Sequence, residues 1–394
     1  MTSSTSSSSR RGALAAVAGL CLAASSLACA GHARTHAPGE LRVALLPVYN
    51  LTGSTAPTRE LASPLAMALA RAGLDVVEGE PVEEYLSRHR LRFTGGIDGA
   101  AAAAAREELG VDALVLTSLE LYSTNTPPKL AITIRLVSAD PDPVVLWMDG
   151  AFLTGDDSPG LLGLGRISKV EKLVGKALSQ LARSAGRAAQ RGFPSVQRCP
   201  TEGRFRPDIA FAAPRLDAKK EYSVAVLPFT DHSGRRGAGE LVALQFVHQL
   251  AAVPGLHVVE PGVVRDRVIR NRIVALGGAS RATARVLRGA MDAELIVSGS
   301  VMSFSETGTA GVPTVEFDVS LIETRSGEVV WESTSKSRGD EGVLYAKIGQ
   351  VNTASDLACR MARDVADEIA RGVRARPGAP GDPRLAPFDA SSLR

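Results

Sequence analysis

The chain has 394 residues, with 45 Lys and Arg against 42 Asp and Glu, a formal net charge of +3. Aromatics make up only 4% of it and no basic stripe interleaves with them, so a nucleic-acid-binding surface is unsupported. The length suffices for two domains with their own cores, and the folded part has no Cys-x-x-Cys or His-x-x-x-His spacing to suggest zinc.

Residues 1–28 read as a secretory signal. A Ser/Thr tract leads to Arg10-Arg11 and then to an Ala- and Leu-rich stretch, Gly12 to Leu27. That stretch is too short and too rich in small residues for a membrane span, which needs roughly 20 apolar residues. Two cleavage readings fit the residues around its end. Ser26-Leu27-Ala28-Cys29 resembles a bacterial lipobox, in which Cys29 carries a diacylglyceryl group, although Ser26 stands where an aliphatic residue is usual. Ala28-Cys29-Ala30 also fits the small-x-small pattern of ordinary signal peptidase. A twin-Arg route lacks its apolar follow-up pair. With Cys29 lipidated, Ala30 in place of Asp resembles the sorting signal for the outer membrane, periplasmic face. A soluble periplasmic or secreted chain is the alternative. Residues 29–40 are then a lipidated tether, where His32 and His36 read as incidental.

The first folded segment spans 41–190. Val43 to Leu46 has the continuous apolar character of a strand buried on both faces, and Pro47 ends it. The polar loop Asn50 to Gly53 leads to an amphipathic helix, Leu61 to Ala72, closed by Gly73. Leu74 to Val77 is a second strand, and Gly99 to Leu109 an Ala-rich helix. A strand at Ala113 to Leu116 comes next, then a polar excursion, Ser123 to Lys129. A hairpin of two strands ends at Trp147, and a long helix covers Leu173 to Gln190. Residues 191–220 form a linker, whose basic stretch Arg191 to Arg206 reads as a solvated connector.

Residues 221–373 repeat the first segment. Leu41 to Gly53 matches Tyr222 to Gly234 almost position for position, with the Leu-Pro pair recurring 181 residues later. Gly73 to Glu78 returns as Gly255 to Glu260, and Val111 to Ser118 as Met291 to Gly299. The only two Trp, Trp147 and Trp331, occupy matching places. Residues 374–394, with Pro377, Pro380, Pro383 and Pro387, show no apolar periodicity and read as a disordered tail. Of four Cys, Cys21 leaves with the signal and Cys29 is the lipid acceptor. Cys199 and Cys359 remain, either as a disulfide pinning the linker to the last helix or as two separate thiols.

The order β-α-β-α-β-β-β-α implies an α/β class: two tandem layered domains, each a mixed, mostly parallel sheet with an antiparallel edge hairpin and packed helices. Strand–Leu-Pro–aromatic, the Asn/Asp turn, Gly-Leu-x-Val-Val-Glu, the Asp-Ala strand and the Val-Val-Trp strand resemble the TolB amino-terminal-like, CsgG- and LpoB-like group of bacterial envelope lipoproteins. The resemblance spans about 41–190 and 221–372, and its motifs are buried strands and turns. The amphipathic hairpins of a secretion pore and the repeats of a β-propeller are both missing from the sequence.

Each chemical candidate has a plainer counterpart. Asp231-His232-Ser233 has the composition of a hydrolase triad, but adjacent loop residues do not assemble such a relay. The matching residues Asn50, Leu51 and Thr52 point to an Asx turn instead. Gly234 to Gly239 lies where a phosphate cradle would sit, so Arg235 and Arg236 are candidates for anion contact against a bare surface loop. Asp112 and Asp292 read as caps, Trp147 and Trp331 as packing residues, Glu78 and Glu260 as solvent-facing strand ends. No catalytic residue, metal or cofactor is expected. The function implied is a non-catalytic interaction or assembly module of the envelope, in secretion or cell-wall machinery, with envelope proteins as partners and a homo-oligomer as an option. A binding module for a small anion at Gly234–Gly239 is the alternative.

Overall fold

The computed structural model describes residues 41–157, 165–201, 203–213, 217, 220–273, 281–307, 311–343 and 349–374. The residues read as a signal (1–28), as a tether with Cys29 (29–40) and, from 375 on, as a tail lie outside the described residues.

The first half begins with β1 (Arg42–Leu45), buried on both faces, and re-enters after Pro47 as a two-residue bridge, β2 (Tyr49–Asn50). Helix α1 (Thr58–Arg71), strand β3 (Asp75–Val77) and helices α2 (Glu80–Arg88) and α3 (Gly99–Leu109) come next. Asp98 caps α3 by accepting from the Ala101 amide at 3.0 Å. Gly110 closes that helix in the left-handed region, at φ 63°, a conformation that favours glycine. Strands β4 (Ala113–Ser123), β5 (Lys129–Ser138) and β6 (Val145–Thr154) precede the closing helix α4 (Val170–Arg191). The connecting stretch holds β7 (Ser195–Val196) and β8 (Asp208–Ala212).

The second half runs β9 (Tyr222–Val226), β10 (Thr230–Asp231), α5 (Ala238–Leu250), β11 (Leu256–Val258), α6 (Pro261–Arg270), α7 (Arg281–Met291), β12 (Leu295–Ser305), β13 (Thr314–Glu323), β14 (Glu328–Arg338) and α8 (Ala354–Arg374). The two sheets have matching orders, β3-β1-β4-β5-β6-β7 and β11-β9-β12-β13-β14-β8, with β2 and β10 on the equivalent strands β4 and β12.

Both sheets are mixed, and the fold is α/β with two layered halves. Short parallel ladders join β1 to β3 and β4, and β9 to β11 and β12. The long pairings β4–β5–β6 and β12–β13–β14 are antiparallel meanders, so antiparallel structure extends well beyond an edge hairpin. The third strand of each half continues far past the apolar run that announces it. Its later residues, where Thr117, Ser118 and Glu120 break up the continuous apolar character, pair with the meander, which satisfies their backbone groups.

The basic connector is not a solvated loop. β7 adds to the edge of the first sheet at Trp147 and Met148, and β8 to the edge of the second at Trp331 to Thr334. Between them Phe205 is buried, Arg198 pairs with Asp367 of α8 at 2.6 Å, and Arg204 donates to the Glu341 and Gly349 carbonyls. Edge strands need covering, and the connector supplies part of that cover.

Nor are the cores independent. One face of the first sheet packs on α1 and α4 and, at its opposite face, part of the sheet packs on α2 and α3. The core of the second half, built on α5 and α8, also takes in Leu51 and Met148 from the first. Helix α5 is covered on all sides, and every residue from Leu241 to Leu250 is buried. It meets the first sheet through Gln245, which bonds Glu120, and the second through Phe246, whose ring lies 5.5 Å from Phe317.

Candidate functional site

The seam between the halves is polar at its centre. Glu120 of β4 is fully buried and accepts from Thr133 Oγ1 at 2.6 Å and from Gln245 Nε2 at 3.0 and 3.1 Å. Burial pushes its carboxyl up to about 7, against the hydrogen bonds and the nearby Arg235 guanidinium. A second buried group lies along the same sheet face. Arg135 of β5 (1% exposed) donates to both carboxylate oxygens of Glu260 (0% exposed), at 2.9 and 3.2 Å, and to the Gly95 carbonyl at 2.6 Å. Glu260 also caps α6 through the Gly262 amide and accepts from Ile97 N at 3.3 Å.

Beside this seam a cleft of about 200 Å³ opens between the halves. Its apolar wall comes from Val226, Leu244, Val247, Val264 and Val268, and its first-half side from Tyr49, Phe93 and Gly95. The Tyr49 hydroxyl donates to Glu240 Oε2 at 3.0 Å, and burial raises both groups. At the mouth, the Arg265 guanidinium stacks 4.2 Å from the Phe93 ring centroid. Ile269 stands beside it, 60% exposed. The arrangement can take an apolar group inward and a polar or charged group at its rim. The volume lies below the several hundred Å³ of ordinary small-molecule sites.

The predicted residues fall in separate places. Arg235 and Arg236 are not brought together. Arg235 Nη2 donates to the Leu51 and Glu120 carbonyls at 3.0 and 2.8 Å, and the guanidinium lies 4.8 Å from the Phe304 ring centroid. Burial lowers its pKa, and it fastens the second half to the first instead of facing solvent. Arg236 is exposed, with its carbonyl packed toward Gly53 of the equivalent first-half loop. Asp231 forms the Asx turn, accepting from the Ser233 amide and hydroxyl at 3.0 and 2.7 Å, as Asn50 does from Thr52 at 3.0 and 2.8 Å. Asp112 accepts from the Arg42 amide, and Trp147 and Trp331 are buried. Cys29 lies outside the described residues.

Cys199 and Cys359 are joined by a disulfide that ties the connector to α8, with Cα atoms 6.0 Å apart. His248 and Gln249 of α5 border it. Gln249 Nε2 donates to Cys359 Sγ at 3.2 Å, and His248 Nε2 donates to the Gln197 carbonyl at 2.6 Å. Burial lowers the His248 imidazole to about 4.

Glu260 corrects the expectation of a solvent-facing strand end. Its counterpart Glu78 is exposed, and only Glu260 meets an arginine from the other half. Sequence reasoning missed Glu120, Arg135, Gln245 and the cleft. The available signal was a charge inside an apolar alternating run, as in Ile132-Thr133-Ile134-Arg135-Leu136 and Leu119-Glu120-Leu121.

These features define a mixed α/β protein of two similar halves, fused along a buried polar seam with a cleft at its side. No protein-family model matches the chain, and no curated protein matches it. Among solved structures it is similar to the PelC dodecamer from Paraburkholderia phytofirmans, at 18% identity over 43% of this chain and 99% of that one, TM-score 0.29. It is also similar to the lipoprotein GNA1162 from Neisseria meningitidis, at 21% identity over 36% and 97%, TM-score 0.26. The LpoB C-terminal domain from Salmonella enterica shows 13% identity over 32% and 87%, TM-score 0.23.

Proposed function

We propose that the chain is a non-catalytic protein-interaction module of the bacterial cell envelope, anchored at the outer membrane through lipid on Cys29 and engaging its partner through the cleft between the halves. The cleft carries this reading. An aromatic ring and an arginine, residue types enriched at protein interfaces, converge on an apolar recess with the exposed Ile269 beside them. The recess is the right size for one or two side chains of a partner. Lipid on Cys29 would hold the site near the membrane; one acyl chain binds marginally, while several bind securely.

In-cell cross-linking of tagged protein, followed by detergent extraction and mass spectrometry, tests both parts. Three chains are compared with the parent: Cys29→Ala, Ile269→Asp and Arg265→Glu. A partner captured by the parent should fall at least tenfold with either cleft variant, both of which should melt like the parent because the altered side chains are exposed. Cys29→Ala should release the protein from the membrane fraction. A partner retained in full by both cleft variants would sink the cleft as the contact site.

A further inference from the structure

The disulfide between connector and α8 is surrounded by more donor chemistry than a structural cross-link requires. Cys199 Sγ, Cys359 Sγ and a ring nitrogen of His248 lie within 4.8 Å of one another, and all three residues are buried. The imidazole orientation is set by its own hydrogen bond: because Nε2 donates to the Gln197 carbonyl, the Nδ1 lone pair is left facing Cys359 Sγ, 3.8 Å away. A metal-bound histidine is held in this way, with its second nitrogen donating to a carbonyl and fixing the tautomer. A second observation points to a cation. Gln249 is 0% exposed, its amide sits against Cys359 Sγ, and its Oε1 has no hydrogen-bond partner among the described residues. A buried orphan acceptor is costly; with the amide turned over, so that Oε1 and not Nε2 faces Cys359 Sγ, a cation at the sulfurs would satisfy it directly or through a water.

We propose that Cys199, His248 and Cys359 form a zinc site whenever the disulfide is open, so that the connector is stapled to the last helix by either a sulfur–sulfur bond or a metal ion. Opening breaks the Sγ–Sγ bond with two electrons and two protons from a dithiol, which closes to its own disulfide. Zn²⁺ then displaces both thiol protons to solvent, and the two thiolates balance its charge within a buried setting where a lone thiolate pair would not be tolerated. Zinc bonds of roughly 2.3 Å to sulfur and 2.0–2.1 Å to nitrogen put such ligand atoms about 3.5–4 Å apart. The His248–Cys359 separation already lies in that range. Opening the bond lets the sulfurs part, and Cys199 Sγ, within 4.8 Å of the ring nitrogen, has to come to the same range. Two thiolates and one imidazole leave a fourth position for a water or for the Gln249 amide, which now donates to Cys359 Sγ.

The sequence spacing conceals the site, because its ligands come from the connector, α5 and α8. The test uses the full chain with Cys21→Ser and Cys29→Ser, so that Cys199 and Cys359 are the only cysteines left. After reduction with a phosphine and desalting under argon, Co²⁺ serves as the probe. One equivalent should produce thiolate-to-cobalt charge-transfer absorption and the intense d–d bands of a four-coordinate ion, and Zn²⁺ should abolish both. The oxidised protein should give neither. Cys359→Ser should lose the charge-transfer band, and His248→Ala should shift the d–d bands and weaken binding at least tenfold. Reduced protein that keeps its native circular dichroism yet takes up no Co²⁺ would overturn the proposal, as would an unchanged spectrum in His248→Ala. If reduction alone unfolds the chain, recovery of the native spectrum with one equivalent of Zn²⁺ supports the site, and failure to recover it refutes the site.

Discussion

Glu120 shows how a single residue is redefined by what lies across it. In the sequence it interrupts an apolar run; in the fold it is a carboxyl buried between a strand of one half and a helix of the other. Its folded value of about 7 stands above the unfolded glutamate value of about 4.3. The native state therefore holds the proton through that window. The stability this group contributes is greatest below the unfolded value and declines as pH rises toward 7, at no more than about 1.4 kcal/mol per pH unit. Above that it changes no further. Glu120→Gln keeps the shape and stays neutral, so its urea-derived stability relative to the parent should increase from pH 5 to pH 8. Taking the difference cancels other groups, including His248, whose lowered value acts in the opposite direction. A difference that does not vary with pH would mean that Glu120 does not titrate there.

At the scale of elements, helices α4 and α5 have different surroundings. Helix α4 carries Lys172, Lys176, Arg183 and Arg187 on an exposed face, while α5 has no polar face to show. In sequence this helix reads as amphipathic, with Leu244, Val247 and Ala251 on one face; the other half's sheet buries its second side, Gln245 included. Helix α6 meets the first half just as closely. A Cβ on Gly262 would lie 2.1 Å from Ile97 N and 2.4 Å from Ile97 C, backbone that has little room to retreat. Gly262→Ala should destabilise the protein by roughly 1–3 kcal/mol or more through overpacking. Gly175→Ala in α4, where a Cβ would meet nothing within 4 Å, should instead stabilise it by about 0.5–1 kcal/mol. Paired denaturant melts read both; equal effects would show that Gly262 is not tightly held.

For the whole molecule, the matching strand orders describe a duplication, but the halves do not play matching roles. The face of the first sheet that bears Glu120, Thr133 and Arg135 is covered by the second half. At the equivalent positions of the second sheet, Met302 is half exposed and Asp318 and Ser320 are half-buried, and on the neighbouring β14 Glu332, Thr334, Lys336 and Arg338 are exposed. The second half thus depends on the first for the cover of α5. Thermal unfolding should accordingly be one transition, coincident by circular dichroism and by fluorescence of Trp147 and Trp331, one from each half. Arg135→Ala leaves the Glu260 carboxylate buried without its partner and should lower stability by about 3–5 kcal/mol. Two resolved transitions in the parent would contradict a shared core.

Period-two and helical hydrophobic patterns, Pro after strand, Gly after helix and the internal repeat were enough to reveal an α/β class and its duplication, because these signals act over a few residues and recur. The Asx turns at Asn50 and Asp231 were legible for the same reason: donor and acceptor lie two residues apart. Tertiary structure alone decided that Arg135 meets Glu260 across 125 positions, that Arg235 turns inward to carbonyls of the first half, and that the connector lends strands to both sheets. It also decided that the cleft and the cluster around His248 exist. Such pairings depend on where distant segments are brought by packing of the two halves. A repeat read along the chain predicts equal halves, whereas the contact between them makes each half's surroundings different.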